Sequence, residues 1–97
     1  MSQFMVEFDL PEFTEDFIVK IPMQQLKIRE LLETGKLQSY AVSADRSKLW
    51  CVINAQNELD VIRIIGEFPL RDYLTPHIME LMFSNSVVMK VPAFSLN

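Results

Sequence analysis

The sequence predicts one small α+β domain of βαββαβ order, a four-stranded antiparallel sheet carrying both helices on one face. Three observations predict it. The chain opens on an apolar/polar alternation, two segments carry apolar residues at helical spacing, and Gly, Pro, Asn and Asp fall between the periodic segments where such a chain must turn.

Gln3 to Leu10 is the first strand: Phe4, Val6 and Phe8 share one face, while Met5, Glu7 and Asp9 share the other, and Leu10-Pro11 ends it. Thr14 is the expected N-cap of the first helix, with Glu15 and Asp16 in its first turn, where acids suit the helix dipole. The helix carries a stripe of Phe17, Ile21, Gln24, Ile28 and Leu31. Pro22 is expected to kink it or to start a second helical segment, and Gly35 to close it. Leu37 to Ala44 and Lys48 to Asn54 form a hairpin about the Asp45-Arg46-Ser47 turn. Ala55 to Gly66 is the second helix, capped by Asn54 or Asn57, with Val61, Ile62 and Ile65 facing inward. A loop at Phe68-Pro69-Leu70 leads to a fourth strand from Pro76 to Phe83. This order, with two right-handed crossovers, is the ferredoxin-like arrangement. Residues 1–84 form the domain, and the apolar stretch at 85–97 is expected to be an arm that packs on a neighbouring subunit or folds back on its own.

Ninety-seven residues is small for a chain that is 49% hydrophobic, so surplus apolar surface must face something. In the last two strands both faces read as apolar: Trp50 and Val52 against Leu49, Cys51 and Ile53, then Ile78 and Met82 against Met79, Leu81 and Phe83. A sheet solvated on one side should alternate more cleanly. The expected partner is therefore a second copy, in a homodimer or higher homo-oligomer. No apolar run approaches the roughly 20 residues of a membrane span. Thirteen acids against nine bases, giving net −4, weigh against nucleic acid. One cysteine rules out an internal disulfide, and an N-terminus that begins neither basic nor with an apolar run points to the cytoplasm. One histidine, one cysteine and no clustered acids offer no metal-ligand set, and no glycine loop cradles a phosphate, so neither metal nor cofactor is expected.

Particular residues carry a family resemblance: Phe8-Asp9-Leu10-Pro11 at the strand exit, Gly35-Lys36 after the first helix, Arg46 in the hairpin turn, and Phe68-Pro69-Leu70 with Tyr73 after the second helix. In these positions the chain resembles the muconolactone isomerase family, from Phe4 to about Leu81. The resemblance implies a dimeric α/β barrel and a cytoplasmic, cofactor-free enzyme that shifts a double bond in a small carboxylated lactone by proton transfer. It also marks departures. Gln24 stands where the isomerases have a glutamate, and an amide cannot act as the base. The stretch from Leu37 to Val42 replaces a strand rich in Trp, His and Arg, so the lining here is smaller and less charged.

The candidate catalytic residues are Glu7, Gln24 and His77; the candidate substrate-binding residues are Arg46, Tyr40, Trp50 and Tyr73. Gln24 interrupts an apolar stripe, so it either lines a pocket or is a core amide satisfied by backbone. Arg46 either grips a carboxylate with its planar fork or pairs with Asp45 in solvent. Glu7, on the strand face away from the helices, would have a raised pKa if a second copy buried it, or would sit in an ion pair across the interface. Tyr40 and Trp50 either flank a planar ligand or are sheet packing. His77 is a proton shuttle or an edge histidine. Tyr73 enters through the family resemblance. Cys51, mid-strand, reads as buried and inert. Three functions follow: a cofactor-independent isomerase-like enzyme on a small enolisable substrate, a non-catalytic ligand-binding or assembly protein on the same barrel, and a cofactor-free monooxygenase-like enzyme. Convergence of Gln24, Glu7, Arg46 and Tyr40 on one cavity would favour an enzyme.

Overall fold

β1 (Ser2–Asp9), α1 (Glu15–Glu33), β2 (Leu37–Val42), β3 (Lys48–Ala55), α2 (Glu58–Ile65) and β4 (Thr75–Glu80) follow one another along the chain, with a 3-10 turn at Arg71–Tyr73 leading into β4. This computed structural model describes residues 1–84; the arm expected at 85–97 lies outside the described residues. The strands order as β2-β3-β1-β4, every neighbouring pair antiparallel, which is the ferredoxin-like α+β fold.

Strand alternation places Phe4, Val6 and Phe8 of β1 with Leu49, Cys51, Ile53 and Ala55 of β3 on one face, all buried. Against them pack Phe17, Ile28 and Leu31 of α1 and Val61, Ile64 and Ile65 of α2. Ile62, expected inward, is 51% exposed, and Ile64 takes its place. Ile62 and Ile64 flank the line from Val61 to Ile65 on opposite sides, and in a short helix rich in Ile both satisfy the spacing.

The caps fix both helix starts. Thr14 Oγ1 accepts from the Phe17 N–H at 3.4 Å. Asn57 is the cap of α2: its Oδ1 accepts from the Asp60 N–H at 2.9 Å, while the Asp60 carboxylate reaches back to the Gln56 N–H at 3.1 Å. α1 runs through Pro22 as one helix. Proline has no N–H for the carbonyl of Ile18, but Ile18 is half exposed, so water can serve that oxygen. Gly35, just past α1, has φ 79° and nothing within 4 Å of where a Cβ would stand. Its requirement is conformational, not steric.

β2 contains one irregularity. Leu37 pairs with Ile53 and Ser39 with Val52, so Gln38 is an extra residue in a bulge. β4 ends at Glu80, three residues before the expected boundary, and Met82 and Phe83 lie beyond it, 95% and 73% exposed.

The helix-free face is less apolar than the sequence pattern suggests. Met5, Trp50, Val52 and Met79 occupy it, but so do Glu7, Asp9, Lys48 and His77, brought side by side by the antiparallel registers Asp9↔Lys48 and Glu7↔His77. Apolar and charged residues therefore share this face.

Gly35→Ala should lower stability by about 1 kcal/mol, and Gly35→Asn by less, because only the left-handed backbone is strained. Urea denaturation should report this as a lower midpoint at unchanged slope.

Candidate ligand-binding site

A cavity of about 140 Å³ opens between α1, the β2–β3 edge of the sheet and the loop after α2. Its walls are largely apolar, with Phe13, Phe17, Ile21, Leu49 and Leu70 contributing; Gln24, Tyr40 and the exposed Gln25 supply polar atoms.

Gln24 is 2% exposed and is the buried polar residue of the described core. Its Nε2 donates to the Tyr40 hydroxyl at 3.3 Å, and its Oε1 accepts from the Leu70 N–H at 3.1 Å. Both readings of Gln24 thus hold together: it lines a cavity, and a backbone group satisfies it. One amide joins α1 to β2 and to the Phe68-Pro69-Leu70 loop. Phe68 anchors that loop beneath, fully buried, with its ring 6.1 Å from that of Phe8.

Tyr40 reaches this side of the sheet because of the bulge. Leu37 and Tyr40 are three residues apart and would face opposite ways in a regular strand, yet they pair with Ile53 and Cys51, both on the helix side. Gln38 absorbs the odd residue. Burial pushes the Tyr40 phenol up from its ordinary value, and the Gln24 amide donating to its oxygen pulls it partly back. The hydroxyl is thus neutral near pH 7. It accepts from Gln24, and among the described residues nothing accepts its own proton.

Two cations lie near the cavity. The Arg46 guanidinium is 5.6 Å from the ring centre of Phe13, and Lys20 Nζ is 5.3 Å from that of Tyr73. Tyr73 in turn packs edge-on against Phe17 at 5.4 Å. Arg46 does not pair with Asp45. That carboxylate accepts from the hydroxyls of Ser43 and Ser47 and from the Ser47 N–H, which hold its pKa at about 2.

The remaining candidates stand on the other side of the sheet. Trp50 pairs with Ala41, not with Tyr40, so the two aromatics cannot flank one ligand. The Trp50 indole donates to Glu7 Oε1 at 2.9 Å, and Lys48 lies 3.5 Å from Glu7 Oε2. Those contacts set the direction of the Glu7 pKa, which is lowered, chiefly by the indole hydrogen bond. The raised value expected for a general base is not found in the single chain, where Glu7 is open to water. His77 lies opposite Glu7 in the ladder, its Nε2 3.6 Å from Asp9 Oδ2. The candidates therefore divide into two groups: Gln24 and Tyr40 in the cavity with Arg46 and Tyr73 beside it, and Glu7, Trp50 and His77 behind the sheet.

Sequence reasoning missed Phe13 and Lys20; their spacing from Phe17 and from the stripe gave no signal of a cavity. Cys51 faces the core, where burial raises its pKa to about 12. Among the described residues no group of His, Cys, Asp or Glu could hold a metal, and no helix is long and apolar enough to cross a membrane. A larger open groove of about 580 Å³ lies at the opposite end of β1, between Met1–Gln3 and Glu80–Phe83. It holds none of the candidate residues and borders the end of the described chain.

Fold and site together define a ferredoxin-like α+β domain with a small, mostly apolar cavity and one buried polar pair. No protein-family model matches the chain, and no curated protein matches it.

Gln24→Leu should destabilise the fold by about 2–3 kcal/mol, since it strands the buried Leu70 N–H. Gln24→Glu keeps an acceptor for Leu70 but buries a carboxyl whose pKa burial raises. Its stability should be close to the parent's at about pH 4 and should fall as pH rises through that raised value. Urea titrations at both ends of the range would check the sign.

Proposed function

We propose that this chain is a muconolactone isomerase-like domain that binds, and does not isomerise, a small single-ring compound bearing a carboxylate, acting in the cytoplasm as a homodimer or larger homo-oligomer. One observation carries the choice of binding over catalysis. Among the described residues no carboxylate and no imidazole lines the cavity, while Glu7 and His77 lie across the sheet from it. A double-bond shift needs a base within reach of the substrate carbon, and an amide and a neutral phenol do not supply one.

The ligand class follows from size and polarity. A dry cavity of about 150 Å³ takes one benzene-sized ring. The Tyr40 hydroxyl offers a donor to a ligand oxygen, and Arg46 offers a planar cation beside Phe13. Arg46 supports the reading in a second way. Its φ is 64°, a left-handed conformation in which glycine costs less, so the hairpin backbone alone would favour glycine there. The oligomer is supported by the mixed helix-free face, where Met5 and Met79 remain 37% and 70% exposed in the single chain.

Benzoate, used as a one-ring carboxylate probe, should perturb the amide resonances of Gln24, Tyr40 and Leu70. Tyr40→Phe should weaken binding about tenfold. Arg46→Gly should weaken it by a similar factor while leaving stability unchanged or raised by up to about 1 kcal/mol. Muconolactone incubated with the parent in deuterated water should show no exchange at the allylic carbon above background. Exchange that Glu7→Gln abolishes would overturn the non-catalytic reading.

A further inference from the structure

Asp9, Glu7, Lys48 and His77 form one contiguous cluster on the helix-free face. Lys48 contacts Asp9 directly and lies 3.5 Å from Glu7; His77 Nε2 lies 3.6 Å from Asp9. Among the described residues no other titratable side chain shares this face: β2 contributes Ser39 and Ala41 to it, and β3 adds Asn54 beyond Trp50 and Val52. With histidine neutral the cluster carries two negative charges and one positive; with histidine protonated it carries none in net.

We infer that assembly of two copies through this face is governed by protonation of His77, which alone brings the buried cluster to zero net charge. The inference rests on the homodimer reading above. Charge costs little in the single chain, where the His77 and Asp9 side chains are 60% and 59% exposed. Stacking a second sheet over them removes that solvent and sets two like-charged clusters against each other, which neutralisation relieves. Both carboxylates have lowered pKa values, from the Trp50 and Lys48 contacts, so they stay ionised near neutral pH.

The size of the face makes this decisive. Four strands about 4.8 Å apart, at about 3.3 Å per residue, cover roughly 400–500 Å² per copy. The total of roughly 800–1,000 Å² is at the low end for a specific interface, where an unbalanced charge decides between monomer and dimer. The sign follows from linkage. The dimer favours charged His77, so its stabilisation is present at low pH and is lost as pH rises.

Sedimentation velocity on the full chain, over a concentration series at about pH 5.5 and about pH 8, tests this. The dimer dissociation constant should rise at least about tenfold from the acidic to the alkaline condition. His77→Gln should bind weakly at both pH values. Asp9→Asn supplies the critical arm: its cluster is neutral when histidine is neutral, so its dimer should be tighter at the alkaline pH, reversing the parent's dependence. Generic repulsion between acidic chains would not reverse. A parent dimer of equal strength at both pH values, or a pH dependence that survives His77→Gln, overturns the inference and leaves the homodimer standing. A monomer at every pH removes both. Circular dichroism spectra matching the parent confirm that the variants are folded.

Discussion

The Gln24 carboxamide ties three elements together inside an otherwise apolar core, and the shape of the candidate site depends on it. Its two ends do different work. The oxygen holds the Leu70 N–H, fixing the loop after α2 against α1, and the nitrogen holds the Tyr40 hydroxyl, fixing β2 against the same helix. A buried amide in hydrocarbon is costly unless both ends are met, and among the described residues no buried side-chain nitrogen or oxygen lacks a partner. An aliphatic residue at position 24 would pack well enough but would leave the cavity without its polar pair. A carboxylate there would bring a base together with the problem of keeping it ionised in a dry site.

Much of the fold was legible because its residues obey a single period. The stripe from Phe17 to Leu31, the alternation of β1, the Thr14 cap and the left-handed Gly35 each follow from one local rule, and each is found. What was illegible involves a broken period. A bulge at Gln38 carries no signal in composition, yet it moves Tyr40 from the face of Trp50 to the face of Gln24. Pairing Tyr40 with Trp50 around one ligand was the natural reading of a regular strand, and one extra residue undoes it. The boundary of β4 failed for a related reason. Apolar residues continue through Phe83, but the ladder with β1 stops at Phe4↔Glu80, close to where β1 itself begins.

The sheet also explains why the candidate chemistry divides. Glu7 and Phe8 are neighbours in sequence but face opposite layers, so a carboxylate on β1 cannot reach a cavity that lies beneath the helices. The polar residues of α1 that line the cavity, Gln24 and Gln25, are both amides. Proton transfer would need base and ligand on one side, whereas this arrangement sets a neutral donor and two nearby cations around an apolar space. Such a set suits recognition of an oxygen-bearing ring. It offers little to a developing carbanion beyond one hydrogen bond.

The helix-free face follows a different logic from the core. Had it been uniformly apolar, association would be permanent and insensitive to conditions, as for a domain core cut in half. The ladder instead sets Asp9 against Lys48 and Glu7 against His77, with Trp50 donating to Glu7 and holding that carboxylate in place. Ion pairs this exposed contribute little to the stability of a single chain. Their weight is felt only when solvent leaves, because desolvation then acts on whatever charge is unmatched. Under the assembly proposed above, a face built in this way keeps its charges hydrated in the single chain, and their balance sets what it costs a second copy to cover them, with His77 on the edge strand β4 as the group that completes the balance.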